Sequence, residues 1–217
     1  MIEDTFEARK QRLLEPYTTT TISKVCGAIS AAHQLPHHEG PCANLHGHNY
    51  KVEVEVGGNV IGGAADDPNL IDPAAGMVMD FADLKQIYNM AIHNKLDHAL
   101  LLGTVPLKWF GAFDPFDYRF FGFDFYGDQD HGSAVVDGRW QKKDRVESFF
   151  RNKGFGKVAL LDIPVTTAEY LAQWIFDEMV TGLNALAGAQ PAYEHVWVQS
   201  VRVWETETGV ATVTWLK

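Results

Sequence analysis

His33, Cys42, His46 and His48 crowd into one short stretch, and five of the nine histidines fall between positions 33 and 48. His46 and His48 stand at i and i+2 in LHGHNY, and on an extended chain that spacing sends both imidazoles out of one face. Two imidazoles so placed can share a metal ion, and Gly47 between them permits close backbone approach. A third from His33 would leave the fourth position open, the pattern of a catalytic rather than a structural zinc site. An isolated His-x-His is more simply an ordinary surface or core pair, so the metal reading depends on the third histidine. Cys42 lies just before the pair, and a thiol beside a dication and imidazoles is biased towards thiolate, a competent base or nucleophile. The plainer alternative is a small buried cysteine, the reading that suits Cys26 inside a strand. Asp97 and His98 form an acid–imidazole neighbour pair, although adjacent residues need not bond to each other. Glu205, closing VRVWE, either holds a guanidine-like edge by two parallel hydrogen bonds or is an exposed strand-end carboxylate. Thr166 and Thr167 stand open between helix caps and ligand contacts.

These residues need elements to position them. Residues 18–35 read as a β-like segment, and 45–56 alternates Tyr50, Val52, Val54 and Val56 against Lys51, Glu53 and Glu55, a strand with one buried face. Antiparallel pairing of the two would bring His33 beside His46 and His48. Residues 59–75, rich in Gly, Ala, Asp and Pro, read as a loop. GMVMDF enters a helix that Asp80 can cap, with Leu84, Ile87, Tyr88 and Ala91 as its apolar stripe. A second helix starts at Thr166 or Thr167 and carries Tyr170, Leu171, Trp174, Ile175, Met179 and Leu183 at three- and four-residue steps. Strands over about 193–205 and 210–216 form a hairpin through Thr206, Glu207, Thr208 and Gly209. Residues 1–17 read as an N-terminal arm, and 18–217 as one domain. Between the helices, at about 103–157, lies an aromatic-rich insertion: ten of the eighteen residues from Trp109 to Tyr126 are aromatic, too apolar for a solvated linker. Its DFYGDQDHG stretch fails the spacing of an EF-hand.

Composition narrows the class. The chain has 217 residues, 46% of them hydrophobic, with 18 Lys+Arg against 28 Asp+Glu for a net charge of −10. That balance argues against a nucleic-acid surface, which needs a basic stripe, but leaves room for a small anionic substrate in a locally cationic pocket. No apolar run is long enough to span a membrane. The N-terminal MIEDTFEARKQRLLEPY scatters charges where a signal peptide needs apolar residues, and two cysteines suit a reducing compartment, so a cytoplasmic location is expected.

Taken in order, ISAAHQLPHHEGPCANLHGHNYKVEVEV, GMVMDFADLK, LDHALLL, TTAEYLAQWI and VRVWETETG resemble the 6-pyruvoyl-tetrahydropterin synthase and 6-carboxy-tetrahydropterin synthase family. The resemblance covers most of residues 22–102 and 164–216. It implies an α+β tunnelling fold, a four-stranded antiparallel sheet with two helices on one face, whose subunits assemble into a β-barrel with active sites between them. It implies Zn2+ on His33, His46 and His48, a catalytic thiol at Cys42, and a proton relay at Asp97 and His98 that meets the thiol across a subunit interface. It also implies a pterin-anchoring carboxylate at Glu205, helped by Thr166, Thr167 and Thr206. Lys24, Lys51, His37 and His38 lie near the motifs that would receive the triphosphate.

The substrate implied is 7,8-dihydroneopterin triphosphate. Three residues separate Cys42 from His46, a short gap that resembles the carboxy enzymes of queuosine (7-deazapurine) biosynthesis. The expectation is therefore a zinc-dependent lyase that yields 6-carboxy-5,6,7,8-tetrahydropterin with release of acetaldehyde and triphosphate. The alternatives are the 6-pyruvoyl enzyme, which eliminates triphosphate without carbon–carbon cleavage, and a non-catalytic zinc-binding member that uses its insertion as an interaction surface. The chain departs from the family pattern at Ile29, where an aromatic is common, at Thr166, where Pro is usual, and in the insertion.

Overall fold

Two long strands carry the metal-ligating candidates, and the two main described helices share one core with them. A computed structural model describes residues 20–35, 38–60, 76–103, 135–136, 139–140, 154 and 156–216. Strand β1 (Thr20–His33) and β2 (His46–Gly58) pair antiparallel from Thr20↔Gly58 to His33↔His46. The alternation in β2 does what it predicts: Val52, Val54 and Val56 are wholly buried, whereas Lys51 is exposed. Each such valine contributes about 1.5–3 kcal/mol on leaving water. The register of β1 shifts between Val25 and Gly27, where Gly27 takes φ +147° and Cys26 is the extra, buried residue.

Helix α1 (Phe81–Tyr88) starts at Asp80, whose side chain accepts from the Ala82 N–H at 2.7 Å. It runs on through a π turn, Asn89–His93, into a short α2 (Asn94–Leu96). Strand β3 (Leu100–Leu102) follows, then two two-residue strands, β4 (Val135–Val136) and β5 (Arg139–Trp140), that pair only with each other. After β6 (Val158–Leu160) comes α3 (Ala168–Ala189), capped by Thr167. Strands β7 (Trp197–Trp204) and β8 (Val210–Thr214) close the chain as the expected hairpin. Leu84, Ile87 and Ile92 from the first helical run and Leu171, Ile175, Met179 and Leu183 from α3 join the sheet valines in one core. Among the described residues, no helix is long and apolar enough to cross a membrane.

The sheet differs from the four-stranded antiparallel one that the resemblance implies. Its order is β6-β3-β1-β2-β7-β8, so the four antiparallel strands are there, contiguous, with two short parallel strands added on the free edge of β1. Every residue of β3 and β6 is buried. With both faces covered, three residues show no period of two, which is why HALLL and KVALL carry no strand signature. The arm at 1–17 and nearly all of the 103–157 insertion lie outside the described residues.

Candidate metal centre and active site

The β1–β2 register sets His33 opposite His46 and Ala31 opposite His48, so all three imidazoles converge at the end of the hairpin. One nitrogen from each lies within 4.8 Å of the others. His33 is fully buried, and its Nδ1 donates to the Thr166 carbonyl at 2.8 Å. His46 Nδ1 likewise donates to the Asn44 carbonyl at 2.7 Å. With a proton on each Nδ1, the two Nε2 atoms present lone pairs to each other across 3.2 Å. Two lone pairs facing at that distance repel unless a cation lies between them. About 3.3 Å is also the separation of two nitrogens on one tetrahedral zinc with bonds near 2.0–2.1 Å. His48 Nε2 is buried with no hydrogen-bond partner. Burial lowers the His33 imidazole to about 4, so at neutral pH the ring is uncharged and its Nε2 lone pair is open to a metal. The donor set, its tautomers and its unsatisfied buried nitrogen all fit a divalent metal, and the outward hydrogen bonds to backbone carbonyls fix the ring orientations of His33 and His46.

Cys42 sits in a 3-10 turn, Pro41–Ala43, pinned to the end of β1 by two bonds. Leu35 N–H donates to the Cys42 carbonyl at 2.9 Å, and the buried Gln34 amide donates to the Ala43 carbonyl at 2.6 Å. The thiol is half-buried and free, whereas Cys26 is buried, with its thiol pushed up to about 11 by desolvation. The proposed fate of Cys26 as a core cysteine thus agrees with its placement.

Glu205 stands one residue past β7, beside Tyr50. Its Oε1 accepts from the Tyr50 hydroxyl at 3.5 Å and lies 3.6 Å from His33 Nε2 and 3.7 Å from His48 Nε2. Tyr50 is 1% exposed, with its ring edge-on to His33 and His48. Its phenol is raised far above the ordinary value, chiefly by burial and then by the Glu205 charge. Thr166 is buried and meets the site through its carbonyl; its hydroxyl lies 3.3 Å from the same His33 nitrogen. Thr167 is the cap of α3, with its hydroxyl accepting from the Tyr170 N–H at 3.5 Å. The Thr206 hydroxyl accepts from Gly209 N–H at 2.9 Å and so closes the β7–β8 turn.

Asp97 and His98 occupy the turn on the other edge of β1. Asp97 Oδ1 accepts from the Ser30 N–H at 2.9 Å, and Oδ2 accepts from His98 Nδ1 at 2.8 Å, so the two neighbours do bond to each other. The Ser30 bond, then His98, holds the Asp97 carboxyl below its ordinary range, with burial opposing. His98 adopts a left-handed φ of +58°, which costs a residue with a Cβ about 1 kcal/mol or more. Its imidazole is 80% exposed and free to reach outward. Among the described residues, no hydrogen bond or ion pair joins Asp97 or His98 to Cys42. His93, from the π turn, places Nε2 3.8 Å from Asp97 Oδ2, and the Lys157 ammonium donates to the Asp97 carbonyl at 2.7 Å.

The sequence does not single out Tyr50, Gln34, Ser30 or Lys157, because their partners are distant in the chain or are backbone atoms. Of the suggested anion-binding groups, Lys24 packs over the Phe81 ring, and Lys51, on the opposite sheet face from His48, packs over Trp204. His38 Nδ1 accepts from Gly40 N–H, and His37 lies outside the described residues.

Comparison with known proteins follows the same lines. The sequence profile described as 6-pyruvoyl tetrahydropterin synthase matches residues 21–215. A 6-carboxy-5,6,7,8-tetrahydropterin synthase of Haemophilus influenzae is 28% identical over 182 residues, 83% of this chain and 89% of that protein. One of Synechocystis is 41% identical over 81 residues, 37% of this chain, so the match spans little more than half (57%) of that relative. A human 6-pyruvoyl tetrahydrobiopterin synthase is 48% identical over 69 residues, 31% of this chain and 40% of that protein. In fold, an uncharacterized protein of Wolinella succinogenes superposes with a TM-score of 0.56 at 21% identity, covering 91% of this chain and 99% of that one.

Proposed function

The chain belongs to the 6-pyruvoyl tetrahydropterin synthase family, and on that premise we propose that it is a zinc-dependent 6-carboxy-tetrahydropterin synthase. The substrate is 7,8-dihydroneopterin triphosphate, and the products are 6-carboxy-5,6,7,8-tetrahydropterin, acetaldehyde and triphosphate. The observation that carries the proposal is the convergence of His33, His46 and His48 nitrogens within 4.8 Å, with a free half-buried Cys42 in the turn between their two strands. Zinc held by the three histidines would act as a Lewis acid that acidifies the substrate's side-chain hydroxyls.

The chain's own residues do the rest. Glu205 holds the guanidine-like edge of the pterin ring, with the Thr166–Thr167 backbone and Thr206 beside it. Cys42, as thiolate, removes a proton from the substrate side chain, and His98 returns or shuttles one, oriented by its bond to Asp97. The family resemblance implies that the partner thiol of His98 is that of a neighbouring subunit, in a homo-oligomer with shared active sites, and the exposed imidazole of His98 is compatible with that. The carboxy reading rests on the three-residue gap between Cys42 and His46 and on the relatives that carry that name.

A second reading, the 6-pyruvoyl enzyme, is favoured by the description of the matching family profile and by the human relative. Incubation of the zinc-loaded protein with 7,8-dihydroneopterin triphosphate separates the two. A carboxylated tetrahydropterin with stoichiometric acetaldehyde is expected; a pyruvoyl product without acetaldehyde would replace the first reading with the second. Loss of turnover in a Cys42→Ala protein that still binds zinc would exclude a non-catalytic role.

A further inference from the structure

Glu205 aims a carboxylate oxygen at two of the three histidines, His33 and His48, a position that holding a ring does not require. Oε1 lies 3.6 Å from His33 Nε2 and 3.7 Å from His48 Nε2. Those separations approach the roughly 3.3–3.5 Å between two donor atoms on one tetrahedral metal. The Tyr50 hydroxyl, fully buried, bonds the same oxygen and so favours this placement. The Glu205 backbone is fixed by its N–H bond to the Gly209 carbonyl at 3.2 Å, at the mouth of the β7–β8 turn. His33 and His46 carry their protons on Nδ1, which leaves their Nε2 atoms no hydrogen to offer Oε1. His33 Nε2 and Glu205 Oε1 are therefore two acceptors facing each other across 3.6 Å, and a cation between them would satisfy both.

We propose that Glu205 is the fourth ligand of the metal in the substrate-free protein, and that an incoming pterin ring withdraws it. The inference rests on the metal and ring-holding roles given above. Two parallel hydrogen bonds to a guanidine-like edge use both oxygens of a carboxylate side by side. Oε1 cannot make that pair and remain on the triad, so seating the ring opens the fourth position to the side chain of the same molecule. The side chain is 29% exposed, which leaves the carboxylate reachable by the ring. The metal is thereby closed to water and small anions until a pterin arrives, and ring recognition is coupled to activation of the metal.

The test uses the full-length protein loaded with Co2+, whose visible ligand-field bands report its coordination. Glu205→Gln is expected to change those bands and to weaken cobalt affinity tenfold or more. Pterin itself, which has no side chain to offer the metal, is then titrated in until its fluorescence shows saturation. The wild-type bands should move towards those of Glu205→Gln, and the variant's should stay where they are. Identical spectra and affinities in wild type and variant would overturn the inference while leaving the triad as a metal site. Wild-type bands unmoved at saturating pterin would overturn the withdrawal step. A wild type that binds neither cobalt nor pterin would sink the functional reading and this inference together. Should Glu205→Gln fail to fold, Glu205→Asp, which keeps the charge one methylene short of the triad, provides the same comparison.

Discussion

At the scale of single residues, the two cysteines give the simplest contrast. Cys26 is buried, with its thiol raised to about 11, whereas Cys42 is partly exposed. Iodoacetamide at pH 8, followed by peptide mass mapping, should alkylate Cys42 and spare Cys26; equal labelling would contradict the β1 bulge. Asp97 supplies a pH dependence. Its folded value lies below the ordinary 3.8, so its stabilisation is present at neutral pH and is lost as pH falls through that folded value. Asp97→Asn should therefore be less stable than wild type at pH 7, with the gap closing in acid titrations below about pH 3.8. The triad was legible because a period of two is readable from HGH, and the thiol because it lies next to it. The Thr166 carbonyl that orients His33 was not, since a backbone acceptor 133 positions away leaves no mark in local sequence. The Thr206 hydroxyl accepts from Gly209 N–H in the turn, which leaves its own proton available to a ligand.

Among the elements, α3 and α1 approach each other closely at Gly182. A methyl group added at Gly182 would lie 2.5 Å from Ile87 Cγ2, a stiff branched carbon with little room to yield. Gly182→Ala should cost about 1–3 kcal/mol, read as a lower urea midpoint at unchanged slope. Unchanged stability would mean that the two helices separate more easily than their packing suggests. Both helices were readable from their apolar stripes, and their caps from Asp80 and Thr167. The π turn at Asn89–His93 was not, because it inserts its extra residue without any Gly or Pro to announce it. Strands β3 and β6 leave no sequence signature for a different reason, since short segments buried on both faces look like any apolar run.

For the whole molecule, the parallel pairing of β3 with β6 decides how the insertion is mounted. Parallel neighbours need a crossover of about a dozen residues or more, and here residues 103–157 make it. Replacing 106–153 by a Gly/Ser linker of about a dozen residues should keep the far-ultraviolet circular dichroism and one metal per chain. Loss of both would show that the segment belongs to the core. The site's long-range contacts also set an order of events during synthesis. His33, His46 and His48 emerge together, yet the carbonyl that fixes the first of them is made 133 residues later. At ribosomal rates of about 5–20 residues per second, that is on the order of ten seconds. A metal ion captured in that interval meets an unlocked hairpin. On the proposed reading, faithful loading would belong to the finished chain, once Thr166 and Glu205 have arrived to orient and close what the hairpin began.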